Sequence, residues 1–315
     1  MSLTNILFFI ISAIGLVVSA TFLVKSLSKI ARFLRVPQFT AAFILMPFAT
    51  SLPEFLVGIS AATSKVPELS LGNVIGASII DLTLIMGILI VLARGVRIKD
   101  SVAGKEIYLI LGSVALLIIL FLIGKSLSRI DGFILVSLYL TNLYFTFKKR
   151  KKYKAKFKEE RIKRWQIILN SFVFIFTIAI LFLSATFTVK YASLLAVDFN
   201  LPKIIAGLFL LSFATTLPEL IFGIEAIKLH HKGMAIGDLI GGVFANIALV
   251  VGIVSIITPI KAVFMPFIIS SIFLFISVFF FLTFLKSGKK LEIREGIALI
   301  LFYVFFMIIE FFTKP

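Results

Sequence analysis

Two glutamates stand in near-identical settings 165 positions apart: Glu54 ends the stretch FATSLPE (Phe48 to Glu54) and Glu219 ends FATTLPE (Phe213 to Glu219). In the first, Thr50, Ser51 and Glu54 fall at i, i+1 and i+4 and, with Pro47, line one helical face; Thr215, Thr216 and Glu219 repeat the pattern. Each proline, Pro53 and Pro218, removes a backbone N–H and displaces the carbonyl four residues back, which frees the C=O groups of Ala49 and Ala214. Pro47 adds a further break where the second stretch has Ser212. Downstream, Ala77 and Asp81 lie one turn apart in GNVIGASIID, and Gly242 and Asn246 hold the matching places in GDLIGGVFAN. The set offers three carboxylates (Glu54, Asp81, Glu219), one amide, four hydroxyls and several carbonyls, with no sulfur and no imidazole. Such an all-oxygen set suits Ca²⁺, which takes 6–8 oxygens at about 2.3–2.6 Å, and also Na⁺.

The elements that hold these residues must lie in a membrane. Of 315 residues, 60% are hydrophobic and 15% charged, far from the composition of soluble domains. A helix needs about 20 apolar residues to cross a bilayer. Ten stretches qualify: 5–24, 39–64, 70–92, 107–124, 130–147, 167–189, 202–229, 236–257, 264–285 and 295–312. Their length and composition fit helices, not barrel strands. The expected fold is an all-α polytopic membrane protein. The first stretch is expected to stay as a helix, since Met1 to Asn5 carries no positive charge of the kind that opens a cleaved leader.

The net charge of +17 would suggest nucleic acid in a soluble chain, so its placement decides the matter. With ten spans and both termini outside, 25 of the 32 Lys and Arg residues fall on the inner loops, as the positive-inside rule requires. The basic run from Lys148 to Arg164 is then a topogenic cytoplasmic loop near anionic lipid, and nucleic-acid binding is not expected. The absence of cysteine excludes thiol chemistry.

Sliding the chain on itself by 165 positions aligns Phe48–Ile88 with Phe213–Ile253 without a gap, and 15 of the 41 pairs are identical. The matches include prolines, glutamates and glycines, which chance overlap of Leu and Ile would not produce. The expected organisation is a first five-helix repeat over 1–147, a basic loop over 148–166 and a second five-helix repeat over 167–315. An odd number of spans per repeat inverts the second half, a secondary-transporter arrangement with its site near mid-membrane. Several other residues receive structural readings. Gly72/Gly76 and Gly237/Gly241 form small-residue ridges for close helix packing. Asn73 and Asp238 are read as caps near cytoplasmic helix ends. Glu225 breaks the symmetry and is left out of the site; His230 and His231 are read as solvated, and Trp165 and Tyr153 as interfacial.

TSLPE (Thr50 to Glu54), TTLPE (Thr215 to Glu219), GNVIGA (Gly72 to Ala77) and GDLIGG (Gly237 to Gly242) together resemble the motifs of the calcium/cation antiporter superfamily, in its sodium/calcium exchanger branch. The proton-coupled branch typically has GNxxE where this chain has its LPE motifs. The resemblance implies ten helices, both termini outside the cell membrane, and alternating access in which the first and sixth helices slide over a static core. It implies central ligands at Glu54, Glu219, Thr50 and Thr215, with further ligation from Ser51, Thr216, Asp81, Asn246 and the carbonyls of Pro47 and Ser212. No cofactor is implied beyond the transported ions, and a monomer is expected. Two departures stand out. Asp81 and Asn246 reverse the family's usual Asn and Asp, which keeps the acid count, and Ala77 and Gly242 replace serines expected to serve sodium sites.

The reading is therefore an antiporter exchanging Ca²⁺ for Na⁺, with proton-coupled Ca²⁺ exchange as the alternative. Three carboxylates balance three Na⁺, or one Ca²⁺ and one proton. An intramembrane aspartyl protease is excluded, because Gly237-Asp238 lacks the first glycine of a GxGD motif and no symmetric aspartate pair exists. A passive channel fits inverted repeats with broken helices less well than alternating access does.

Overall fold

A computed structural model of the chain describes residues 2–33, 45–97, 103–149, 164–229, 231–288 and 290–312. Pro37, Tyr153, His230, the start of the second expected span and most of the basic loop (150–163) lie outside the described residues. The elements are α1 (Ser2–Phe33), α2 (Met46–Thr50), α3 (Leu52–Thr63), α4 (Pro67–Ile80), α5 (Met86–Leu92), α6 (Ala103–Gly124) and α7 (Arg129–Lys149). They continue with α8 (Arg164–Asp198), α9 (Lys203–Ala206), α10 (Ser212–Lys228), α11 (Lys232–Ala245), α12 (Val251–Ile257), α13 (Phe264–Gly288) and α14 (Ile293–Phe312). Among the described residues, seven stretches are long and apolar enough to cross a membrane: Leu3–Ala31, Pro67–Leu92, Ile107–Gly124, Trp165–Asp198, Lys203–Lys228, Lys232–Ile257 and Phe264–Phe284. The chain is an α-helical, multi-pass membrane protein.

Burial sorts the helices into a centre and a periphery. Within the apolar windows, 83% of the Pro67–Leu92 stretch and 72% of Lys232–Ile257 are buried inside the protein, against 28% of the first helix and 11% of Trp165–Asp198. An apolar helix with so little protein around it meets lipid on most of its surface. The two peripheral helices, α1 and α8, lie against each other in opposite directions. Asn5 Nδ2 donates to Asp198 Oδ2 at 2.7 Å, Phe8 stacks on Tyr191 at 5.1 Å, and Gly15 abuts the Ser184 hydroxyl. They share an apolar cluster with α2, α3 and the α9–α10 segment, separate from the main core.

Elements 165 residues apart have matching local structure. A π-helical turn at Asp81–Ile85 joins α4 to α5, and another at Asn246–Val250 joins α11 to α12. The small residues set the helix spacing. A Cβ on Gly72 would collide with the Ile204 carbonyl, and one on Gly76 would come within 2.5 Å of the Leu208 carbonyl, so the Gly72/Gly76 ridge packs backbone to backbone on α9 and the turn after it. Gly87 meets Gly296 and Gly252 meets Gly132 in the same way. Short extended pairings tie the loops: Val96–Arg97 with Lys290–Leu291, and Leu127 with Ile260. Lys232 Nζ donates to the carbonyls of Ala93 at 2.6 Å and Gly95 at 3.2 Å, placing a cation on the carbonyl end of α5.

The breaks expected at both LPE motifs form differently. In the first, Ser51 leaves the helix between α2 and α3, its N–H donating to the Pro47 carbonyl at 3.1 Å, and Pro53 falls in the first turn of α3, where no N–H is needed. In the second, α10 runs on through Pro218, a correction to the sequence expectation. A π-helical turn at Gly207–Leu211 precedes this helix.

Candidate cation site

The ten residues singled out as ligands are all buried: Pro47, Thr50, Ser51, Glu54, Asp81, Ser212, Thr215, Thr216, Glu219 and Asn246. They come from α2, the junction residue Ser51, α3, α10 and the first residues of the two π-helical turns after α4 and α11. A π-helical turn widens the helix by one residue, and such turns recur at functional sites. Glu54, Asp81 and Glu219 are each no more than 3% exposed.

Their hydrogen bonding is incomplete. Among the described residues, neither oxygen of Glu54 has a partner, nor do Oδ1 of Asp81, Oε2 of Glu219, Oδ1 of Asn246 or the Ser51 hydroxyl. No described lysine or arginine pairs with these acids; the ion pair formed by Lys25 and Glu225, at 3.1 Å, lies elsewhere and is half exposed. A buried, unpaired carboxylate costs several kcal/mol, so this arrangement is stable only with a cation or protons among the oxygens. Among the described residues no three acids or histidines form a tight metal cluster, so hydroxyls, amide and carbonyls must complete any coordination shell. The two proposed carbonyl ligands are already engaged locally. The Pro47 carbonyl accepts the Ser51 N–H and faces the Thr50 hydroxyl at 3.3 Å, and that of Ser212 accepts the Thr216 hydroxyl at 2.8 Å.

Asn73 and Asp238 are not caps. Each lies two turns inside its helix and is buried, and each receives a threonine hydroxyl from the other half of the chain. Thr50 Oγ1 reaches Asp238 Oδ1 at 3.1 Å, and Thr215 Oγ1 donates to Asn73 Oδ1 at 3.0 Å. These contacts are one pattern repeated at the 165-residue offset. The sequence held a signal for both residues: Asn73, Ala77 and Asp81 follow one another at i, i+4 and i+8, as do Asp238, Gly242 and Asn246, so each shares a helical face with a candidate site residue.

Gly242 and Ala77, where hydroxyls were expected, are buried on this face. A Cβ built on Gly242 would meet Ser51 Oγ at 3.4 Å. Beside the site, a cavity of about 260 Å³ is lined by Val24, Lys25, Ser28, Met46, Phe222 and Glu225 among others. Met46 stands one turn before Thr50, so the cavity approaches the threonine end of the site. Glu225 and His231 belong to this cavity and not to the acid cluster.

Comparison with known proteins gives a consistent result. The family model described as sodium/calcium exchanger protein matches residues 4–148 and 169–312. The sodium/calcium exchanger MaX1 of Methanosarcina acetivorans is 24% identical, with 98% of this chain and 99% of that protein aligned. An uncharacterized membrane protein of Methanocaldococcus jannaschii is 29% identical over 78% of this chain and 80% of its own length. Among solved structures, the sodium-calcium exchanger NCX_Mj soaked with 100 mM Na⁺ and 10 mM Sr²⁺ superposes with a TM-score of 0.70 over 98% of both chains at 24% identity, a likeness of fold.

Proposed function

The chain belongs to the sodium/calcium exchanger protein family, a family of transporters and not enzymes, and on that premise we propose that it exchanges Ca²⁺ for Na⁺ across the cell membrane. The proposed site uses Glu54 and Glu219 as central ligands, with Thr50, Thr215, Ser51, Thr216, Asp81 and Asn246 and the carbonyls of Pro47 and Ser212 around them. One observation carries the reading: Glu54 and Glu219, one from each half of the chain, are buried with carboxylate oxygens that no described group satisfies. A cation passing between the halves supplies what those oxygens lack.

The architecture we propose is ten spans in two inverted five-helix repeats, 1–147 and 167–315, joined by a basic inner loop at 148–166, with both termini outside and the chain acting as a monomer. The matched π-helical turns and the crossed Thr50–Asp238 and Thr215–Asn73 contacts support this pairing of halves. In this reading α1 and α8 move together over the buried helices, consistent with their lipid-facing surfaces and their separate apolar cluster. The cavity next to Met46 is then an inner approach to the ions.

Proton-coupled Ca²⁺ exchange is the second reading. It is favoured by one feature, the lack of hydroxyls at Ala77 and Gly242. Uptake of ⁴⁵Ca²⁺ into proteoliposomes under separate Na⁺ and pH gradients decides between them. Ca²⁺ uptake driven by an outward Na⁺ gradient alone supports the first, and uptake driven by a pH gradient alone replaces it with the second.

A further inference from the structure

We propose that Asp238 is a fourth anionic member of the cation site, one that tightens Ca²⁺ binding by holding the Thr50 hydroxyl and adding its own negative charge. The inference rests on the cation-exchange reading above and extends it to a residue outside the ligand set. Its partner relation is the first support. Thr50 Oγ1 has three acceptors within reach: the Met46 carbonyl at 3.0 Å, the Pro47 carbonyl at 3.3 Å and Asp238 Oδ1 at 3.1 Å. A hydroxyl has one proton, and an anionic oxygen is the strongest of the three acceptors. Thr50 that donates to Asp238 keeps its lone pairs for a cation and gains partial negative charge from the polarised O–H.

The second support is the state of Asp238 itself. It is 1% exposed, and its other oxygen, Oδ2, has no partner among the described residues. A structural cap would satisfy its oxygens on backbone N–H groups at a helix start; Asp238 sits in the interior of α11 and does not. The third support is the mirror position. Asn73 makes the same bond to Thr215 with an amide, so packing and hydrogen bonding are met without a charge there. The acid at 238 is therefore not needed for the contact, and what it adds is charge. Asp238 is buried and holds the Thr50 hydroxyl, so a charge there stands against the proposed ligand set. Anionic character at this point makes the Thr50 side of the site more attractive to cations than the Thr215 side.

A charge acts on an ion in proportion to the ion's own charge, so its removal shifts the logarithm of Ca²⁺ affinity about twice as far as that of Na⁺. Asp238→Asn keeps the shape and the acceptor for Thr50 and removes only the charge. Isothermal titration of purified protein with CaCl₂ and with NaCl is expected to show Ca²⁺ affinity falling about tenfold and Na⁺ affinity about threefold, the square root of that change. The double variant Asn73→Asp/Asp238→Asn moves the charge to the mirror position and is expected to bind Ca²⁺ within about threefold of wild type. Equal losses for both ions, an unchanged Ca²⁺ affinity, or a double variant as weak as the single one would overturn the role assigned to Asp238. Failure of the cation reading looks different, since wild-type protein would then bind neither ion.

Discussion

Adding a hydroxyl at Gly242 tests whether the missing serines weaken sodium use. Most glycines near the site have no room: a Cβ on Gly72 or Gly207 would collide with backbone carbonyls on the facing segment. Gly242 differs, because a Cβ there meets a single atom, Ser51 Oγ, at an ordinary 3.4 Å. Gly242→Ser therefore fits, and in mid-helix it gains a few tenths of a kcal/mol over glycine. Its hydroxyl would stand beside the Ser51 hydroxyl, which is buried and has no partner among the described residues. One neutral oxygen ligand contributes about 1 kcal/mol, which corresponds to about a fivefold change in affinity. The Na⁺ concentration for half-maximal ⁴⁵Ca²⁺ exchange in proteoliposomes should then fall about fivefold. Half-saturation by Ca²⁺ should stay within about twofold, since the glutamates dominate that interaction. Gly242→Ala supplies the Cβ without the oxygen and is expected to leave the Na⁺ dependence at the wild-type value. If the alanine variant shifts it as far as the serine variant, the effect is steric and the reasoning about hydroxyl ligands is wrong.

Glu54→Gln and Glu219→Gln should each abolish Ca²⁺ exchange while the protein still purifies as a folded species, because each removes an anionic oxygen from a site otherwise short of partners; flux above about a tenth of wild type in either variant contradicts the site. Asp81→Asn should lose most activity, and Asp81→Asn/Asn246→Asp should recover a substantial part of it, since the acid returns at the pseudo-equivalent π-helical turn; equal flux in the single and double variants shows that charge count is not what the pair maintains. Gly72→Ala should lower the thermal unfolding midpoint by several degrees, because the new methyl group forces apart α4 and the segment at Ile204–Leu208, an overpacking cost of about 1–3 kcal/mol; an unchanged midpoint would show that the helices part without penalty.

Much of this arrangement was legible in the residues. Hydropathy gives the helices because lipid removes every alternative partner for the backbone, and the repeated LPE motifs mark the segments of the candidate site because proline and glutamate are costly in hydrocarbon. What stayed hidden depends on tertiary contact. Pro218 looks like a break from its type alone, yet α10 passes through it without one. Asn73 and Asp238 look like caps by their distance from the expected helix ends. Their true role depends on threonines 188 and 142 positions away in the chain, a pairing that periodicity on one helix cannot express.

The crossed contacts also bear on how the two halves stay in step. Thr50 belongs to the segment interrupted at Ser51 and donates to a helix of the second half, while Thr215 belongs to a continuous helix and donates to one of the first. A movement that pulls Thr50 away from Asp238 leaves a buried carboxylate without its donor, and the same holds for Thr215 and Asn73 with a neutral amide. The first separation is the more costly, because an anion loses more than an amide when its hydrogen bond is broken. The halves are thus alike in geometry and unlike in energy. On the charge proposed for Asp238, the Thr50–Asp238 contact should be the stiffer of the two, and rearrangement should begin on the Thr215–Asn73 side. Hydrogen–deuterium exchange places this on a measurable scale: amides of α10 around Thr215 should exchange faster in the absence of Ca²⁺ than those of α2 around Thr50, and the reverse order would contradict the asymmetry.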